Sequence, residues 1–129
     1  MLNNVPVLTT LPATDINRAK EFYEDKLGLT IEEFYEDMMV LDANGVKITV
    51  YERPKPTKAD HTVMTFEVKD IENEINDLKN KGIVFEDYDM PDLNLKTNKN
   101  HVAVMENDKA AWFKDSEGNI LCLHETLVK

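Results

Sequence analysis

The side chains able to move a proton, attack a carbon centre or ligate a soft metal near neutral pH are three histidines, His61, His101 and His124, and one cysteine, Cys122. An imidazole can act as acid, base, hydrogen-bond donor or stacking partner. A thiol is a nucleophile only where an adjacent base or positive field holds it as thiolate, and without one Cys122 reads as a small buried hydrophobe. A lone cysteine makes neither an internal disulfide nor a Cys-x-x-Cys metal knuckle, which suits a reducing compartment and sets the expectation of a cytoplasmic protein. His101 follows Lys-Thr-Asn-Lys-Asn and reads as a loop or edge residue, while His61 opens a β-rich run and reads as solvent-facing. Trp112, two residues before Lys114, is either a cavity liner or an interface residue. Met38, Met39, Met64, Met90 and Met105 are scattered and read as core fillers, not a cofactor box.

The elements that must position these groups follow from local pattern. Residues 5–12 are β-branched and apolar and run into Thr14-Asp15, a pair suited to capping a helix. Ile16, Ala19, Phe22, Tyr23 and Leu27 then recur at helical spacing, with Gly28 as terminator. Leu29–Tyr35, Met38–Asp42 and Val46–Tyr51 read as strands, and Asn44-Gly45 between the last two is a strong hairpin signal. Residues 53–60, with two prolines and no apolar face, form a linker. The pattern then repeats: a strand over 62–68, a helix opened by Asp70-Ile71 and stopped by Gly82, and strands over 83–88, 101–105, 110–114 and 120–124.

A nearly fixed offset separates the two copies. Asp15 and Asp70 stand 55 apart, as do Ile16 and Ile71, while Gly28 and Gly82 stand 54 apart and Gly45 and Gly118 stand 73 apart. The growth of the offset places an insertion of about eighteen residues in the second copy, over 91–108. The expected fold class is α+β: two tandem βαβββ modules, over about 5–52 and about 61–125, in a single domain spanning 1–129. One face of each four-stranded unit takes a helix, and the two remaining faces are expected to form a concave, partly closed sheet that would be the binding site.

Three segments carry a family resemblance: Thr14-Asp15-Ile16-Asn17-Arg18-Ala19-Lys20-Glu21-Phe22-Tyr23 with Leu27-Gly28-Leu29, then Phe66-Glu67-Val68-Lys69-Asp70-Ile71, then Ala111-Trp112-Phe113-Lys114-Asp115-Ser116-Glu117-Gly118-Asn119. Their order and spacing resembles the vicinal oxygen chelate superfamily, which groups glyoxalase I, bleomycin-resistance proteins and extradiol dioxygenases. The resemblance covers nearly the whole chain and implies the glyoxalase/bleomycin resistance/dihydroxybiphenyl dioxygenase fold, a homodimer, and a site near a module junction. It also implies four metal positions, His or Glu on the first and last strands of both modules. Those positions fall on Leu8, Thr49, Val63 and Cys122, which keep the offsets of 55 and 73. Leu, Thr, Val and one thiol lack the three or four N, O or S donors a catalytic ion needs, so no metal and no cofactor is expected, and neither is metal-dependent glyoxalase or dioxygenase activity. His61 and His124 do not replace that centre. Displaced in opposite directions from Val63 and Cys122 on parallel strands, they are expected roughly 13 Å apart along the sheet, at about 3.3 Å per residue.

Alternation from the four positions sends Thr10, Lys47, Tyr51, His61, Thr65, Glu67, Ile120 and His124 to the same faces, and Met64, Phe66, Val68, Leu121 and Leu123 toward the helices. The candidate ligand-binding set is Thr10, Lys47, Thr49, Tyr51, His61, Thr65, Glu67, Trp112, Cys122 and His124, a polar and apolar mixture suited to a small-molecule pocket. His124 and Tyr51, equivalent at the offset of 73, each either pack or meet a ligand. Glu67 either faces a basic ligand or pairs with Lys47. Fifteen Lys and Arg against twenty-five Asp and Glu give a net charge of -10, which repels a phosphate backbone and excludes general nucleic-acid binding. No apolar run exceeds four residues and the start shows no basic segment followed by an apolar stretch, so neither a membrane partner nor a secretory signal is expected. The expected function is metal-free binding of a small aromatic or cationic molecule, of the sequestering bleomycin-resistance type. The alternative is a lyase, isomerase or dioxygenase-like enzyme with a non-standard site drawn from His124, Tyr51 and Glu67.

Overall fold

In the computed structural model, which describes residues 1–128, the chain forms two compact units: Met1–Lys58 with Ser116–Gly118, and Ala59–Asp115 with Asn119 onward. The first unit runs β1 (Thr9–Ala13), α1 (Ile16–Glu21), β2 (Thr30–Phe34), β3 (Met38–Ala43) and β4 (Val46–Glu52). Its sheet has the order β1-β4-β3-β2, with β1 and β4 parallel and the other pairs antiparallel. The second unit runs β5 (Thr62–Glu67), α2 (Ile71–Asn80), β6 (Asp89–Met90), β7 (Leu95–Lys96), β8 (Ala103–Val104), β9 (Asp108–Lys114) and β10 (Ile120–Thr126). Its main sheet has the order β5-β10-β9-β8, again with the first pair parallel, and β6-β7 is a separate hairpin. Both units are βαβββ modules, and the α+β class holds.

Each helix begins where an aspartate caps it. Asp15 accepts from the Arg18 N–H at 3.0 Å and Asp70 from the Asn73 N–H at 3.2 Å, satisfying donors that have no partner inside the helix. Ile16, Ala19, Phe22 and Tyr23 bury themselves with Leu11, Ala13, Met39, Leu41, Ile48 and Val50 of the first sheet. Ile71 and Ile75 do the same beside Ala111, Phe113, Leu121 and Leu123 of the second. The first helix does not stay α-helical to Leu27. From Phe22 to Lys26 it widens into a π-turn, with the Leu27 N–H donating to the Phe22 carbonyl at 3.1 Å. Phe22 and Tyr23 are neighbours in sequence, yet both are buried there, edge to face at 5.4 Å. Between β3 and β4, Asn44 at φ 52° and Gly45 at φ 88° form the left-handed pair of a two-residue hairpin, whose twist matches the flanking strands.

Two expectations change. The run over 5–12 joins the ladder only at Thr9, and Val5, Val7 and Leu8 are exposed, with Pro6 unable to donate. Residues 83–88 do not form a strand: Phe85 makes a single bridge to Phe113, and the Glu86 N–H donates to the Trp112 carbonyl at 2.8 Å. Further along the same edge of β9, β8 takes over, with Ala103 opposite Ala110 and Val104 opposite Lys109. The fourth strand is thus split, and residues 87–102 leave the β9 edge between its two parts. The base of this segment is closed by Thr97, whose N–H donates to the Tyr88 carbonyl at 2.9 Å and whose Oγ1 accepts from the Tyr88 N–H at 2.9 Å. His101, left-handed at φ 69°, places Nδ1 2.8 Å from the Asp87 carboxylate and stacks on Phe85.

The Asp115-Ser116-Glu117-Gly118-Asn119 turn acquires a purpose. Asp115 and Asn119 close it with backbone and side-chain hydrogen bonds of 2.8–2.9 Å. Glu117 then reaches the start of α1, in whose compact unit it lies. Its carboxylate accepts from the Thr14 N–H at 2.9 Å, the Asp15 N–H at 3.3 Å, Arg18 Nε at 2.8 Å, Arg18 Nη2 at 2.9 Å and Ser116 Oγ at 2.8 Å. Burial pushes this carboxyl up, but the donors from Arg18, Ser116, Thr14 and Asp15 outweigh it and leave it at about 2, down from the ordinary 4.5.

Because the folded value lies below the unfolded one, the Glu117 contribution is complete above about pH 4.5 and is lost as pH falls through about 2. Glu117→Gln is expected to remove on the order of 3 kcal/mol at neutral pH and to flatten that acid limb, as read by urea denaturation across pH. Gly45→Ala, at φ 88° with nothing within 4 Å of an added Cβ, is expected to cost about 1–2 kcal/mol through backbone strain alone in the same assay.

Candidate functional site

Alternation leaves one face of each sheet free of its helix. In the first unit Thr10 pairs in register with Thr49, and Pro12 with Tyr51, so Thr10, Lys47, Thr49 and Tyr51 share that face as expected. Thr10 is exposed and Thr49 half-buried. Lys47 is held by Asp42, directly opposite on β3, and by Glu32, and both contacts push its ammonium up. Tyr51 lies under the Arg53 guanidinium at 5.7 Å.

In the second unit β10 is central on the corresponding face. Cys122 is flanked by Thr65 on β5 and Trp112 on β9; His124 is flanked by Glu67 and Ala110. His61, expected on this face, lies exposed before β5 begins, its Nδ1 3.1 Å from the Thr62 carbonyl. The register also corrects the expected spacing. Cys122 is level with Thr65, not Val63, just as Thr49 is level with Thr10, not Leu8. His61 is six residues from Glu67, the residue level with His124, so the two imidazoles are separated by roughly 20 Å along the strands, not 13.

Two clusters occupy the face. At one end the Trp112 indole crosses β10 to donate from Nε1 to Thr62 Oγ1 at 3.1 Å, and Tyr88 meets it edge to face at 5.4 Å. At the other end His124 lies between two carboxylates, Nδ1 2.5 Å from Glu67 Oε1 and Nε2 2.8 Å from Asp108 Oδ2. Glu67 also accepts from Thr126, at 3.0 Å from N–H and 2.8 Å from Oγ1. A neutral imidazole has one N–H, so two such contacts require the charged form. Consistently, the bonds to Asp108 and then Glu67 raise His124, and the bonds from His124 and then Thr126 lower Glu67. Within their own units, Lys47 is paired with Asp42 and Glu32, and Glu67 with His124 and Thr126.

Asp108, Tyr88 and Thr62 complete these clusters and were not candidates from sequence. Asp108 is masked by Asn107, which together with it reads as a turn, although counting back by twos from Trp112 through Ala110 reaches it. Tyr88 arrives through the inserted segment, whose path no periodicity encodes.

The family's metal positions hold no adequate donor set. Leu8 and Val63 offer nothing and Thr49 offers a neutral hydroxyl. Cys122 is buried, which pushes its thiol up to about 11, and its Sγ donates to the Leu123 carbonyl at 3.2 Å. A soft ion requires the thiolate. On the helix side, Asp70, Glu72 and Glu125 bring oxygens within 4.8 Å of one another. Lys109 already sits on Glu72 at 3.1 Å, and Glu125 accepts from the Ile71 N–H at 2.9 Å, so these charges serve the start of α2.

Comparisons with known proteins agree with this architecture. A glyoxalase/bleomycin resistance protein/dioxygenase from Alicyclobacillus acidocaldarius is 20% identical with a TM-score of 0.71, over 95% of this chain and 92% of that one. A lactoylglutathione lyase from Agrobacterium tumefaciens is 16% identical with a TM-score of 0.71, over 95% and 93%. A fosfomycin resistance protein from Listeria monocytogenes, complexed with Mn(II) and sulfate, is 13% identical with a TM-score of 0.72, over 99% and 94%. No curated protein matches the chain. At these identities the likeness is one of fold. The model of one family matches residues 6–123, and the chain therefore belongs to the Glyoxalase/Bleomycin resistance protein/Dioxygenase superfamily.

Proposed function

We propose that this protein is a metal-free small-molecule-binding member of its superfamily, and that it sequesters an aromatic or cationic compound on the open face of the second sheet. The observation that carries the reading is the Trp112 indole, fixed by Thr62 and Tyr88 on the same face as the charged Glu67–His124–Asp108 cluster. A flat apolar platform beside a few placed polar groups is the make-up of small-ligand sites. The metal-free part rests on Leu8, Thr49, Val63 and the protonated Cys122, a donor set that suits no divalent ion. The enzymatic alternative gains less support, since both nitrogens of His124 are engaged and Cys122 is held as a thiol.

Trp112 is the sole tryptophan, so intrinsic fluorescence reports this platform alone. A compound panel is expected to yield a ligand that changes this fluorescence and that, at one hundred times its dissociation constant, adds about 2.7 kcal/mol of stability in a thermal melt. Trp112→Ala is expected to weaken that ligand several-fold, from the loss of about 1 kcal/mol of aromatic contact. A panel with neither signal overturns the reading. Elemental analysis of the purified protein is expected to find no stoichiometric divalent metal, and Cys122→Ser to leave added Zn(II) uptake unchanged. The resemblance adds a homodimer to the proposal, which sedimentation velocity checks.

A further inference from the structure

Glu67 and Asp108 form a paired anionic seat, and its present occupant is the protein's own cation. Both N–H groups of the His124 imidazolium are spent on it, one to each carboxylate. We propose that this seat receives the cationic end of the ligand, a planar amidinium or guanidinium group joined to a ring that lies on Trp112, and that the ligand displaces the proton of His124. The inference rests on the binding reading above and adds to it the ligand's class and its coupling to protons.

Geometry selects this class. A planar amidinium presents two divergent N–H donors and can replace both hydrogen bonds of the imidazolium, which a compact ammonium does less well. Trp112 is level with Cys122, two residues from His124 along β10, so the platform and the seat are separated by about 7 Å. One six-membered ring with an attached amidinium spans that distance. Ala110, opposite His124, leaves no large side chain between them. On exchange, the bonds from Nδ1–H to Glu67 and from Nε2–H to Asp108 break, the imidazole gives one proton to water and rotates about its side-chain bonds out from between the carboxylates, and the ligand's N–H groups donate to the same oxygens. The charge of the cluster is unchanged, whereas two cations on one seat would repel. The other ionisable groups on this face are Cys122 on β10 and Lys114 on β9, which faces Glu86 at 3.6 Å, with Tyr88 beside Trp112. Lys109, Glu125, Glu72 and Asp70 cluster on the opposite side, at α2.

The test titrates benzamidinium chloride and its neutral isostere benzamide into the full chain. Trp112 fluorescence follows binding, and calorimetry in two buffers of different ionisation enthalpy counts protons. In mildly acidic buffer benzamidinium is expected to release about one proton and to gain up to about tenfold in affinity per pH unit until His124 is neutral, while benzamide releases none. The His124 Cε1–H resonance is expected to move to its neutral position on saturation, a readout that needs no variant. His124→Gln, its fold checked by circular dichroism, is expected to abolish the release and flatten the pH profile. Benzamidinium binding without proton release, or with release undiminished in His124→Gln, overturns the inference and leaves the binding reading in place. The inference also falls if neither probe binds while another compound of the panel does. If nothing in the panel binds, the reading beneath it falls as well.

Discussion

The imidazolium of His124 fastens three strands through its two N–H groups. His124 lies on the central strand β10, Glu67 ends the edge strand β5, and Asp108 begins β9. At the other end of β5, Thr62 is tied to β9 by the Trp112 indole. An edge strand has only one neighbour to hold it, and here both of its ends are secured by side chains on the open face. The groups that would meet a ligand are thus also the groups that hold the sheet in register. That double use keeps the platform and the charges at a fixed separation before any ligand arrives, which lowers the ordering cost of orienting a small molecule.

Much of this arrangement was legible from residue types and spacing, because it depends on local chemistry. Asp15 and Asp70 cap helices in the same way, Asn44-Gly45 makes the hairpin its conformational freedom allows, and strand alternation from Thr49 and Cys122 assigns the open faces. The duplication also survives in the register, since the Thr10–Thr49 and Thr65–Cys122 pairs keep the offsets of 55 and 73. What could not be read depends on contacts distant in sequence. The level of β5 against β10 shifts at a bulge beside Ile120, and no pattern in either strand encodes it. Phe85 looks like a strand residue by composition, yet the edge it would share with β9 is divided with Ala103 and Val104. Glu117 resembles a solvated turn residue until its partners 99 to 103 positions away are known.

Two glutamates of the molecule, Glu117 and Glu67, solve opposite problems. Glu117 is buried and survives as an anion because donors from Thr14, Asp15, Arg18 and Ser116 surround it. Glu67 is exposed and needs no such rescue, so its bonds to His124 and Thr126 serve position more than solvation. Cys122 lies between these extremes: it is buried with few donors, and it stays neutral. Two glutamates of the same acidity in water thereby become a structural anchor and a placed surface charge, and burial keeps an already weakly acidic thiol as an inert filler.

The excursion from Asp87 to Val102 departs from β9 at Glu86 and rejoins it at Ala103, facing positions only two residues apart. Its entry and exit are therefore set by the sheet, and its length is not. Closing a loop of twice the length costs only about 0.6 kcal/mol more, so closure entropy does not fix the length of this cartridge, while the buried Thr97 and Val102 fix how it packs. Since the cartridge delivers Tyr88 to the indole, relatives that differ in it would present a different wall to whatever they hold, and selectivity could diverge without any change to the core.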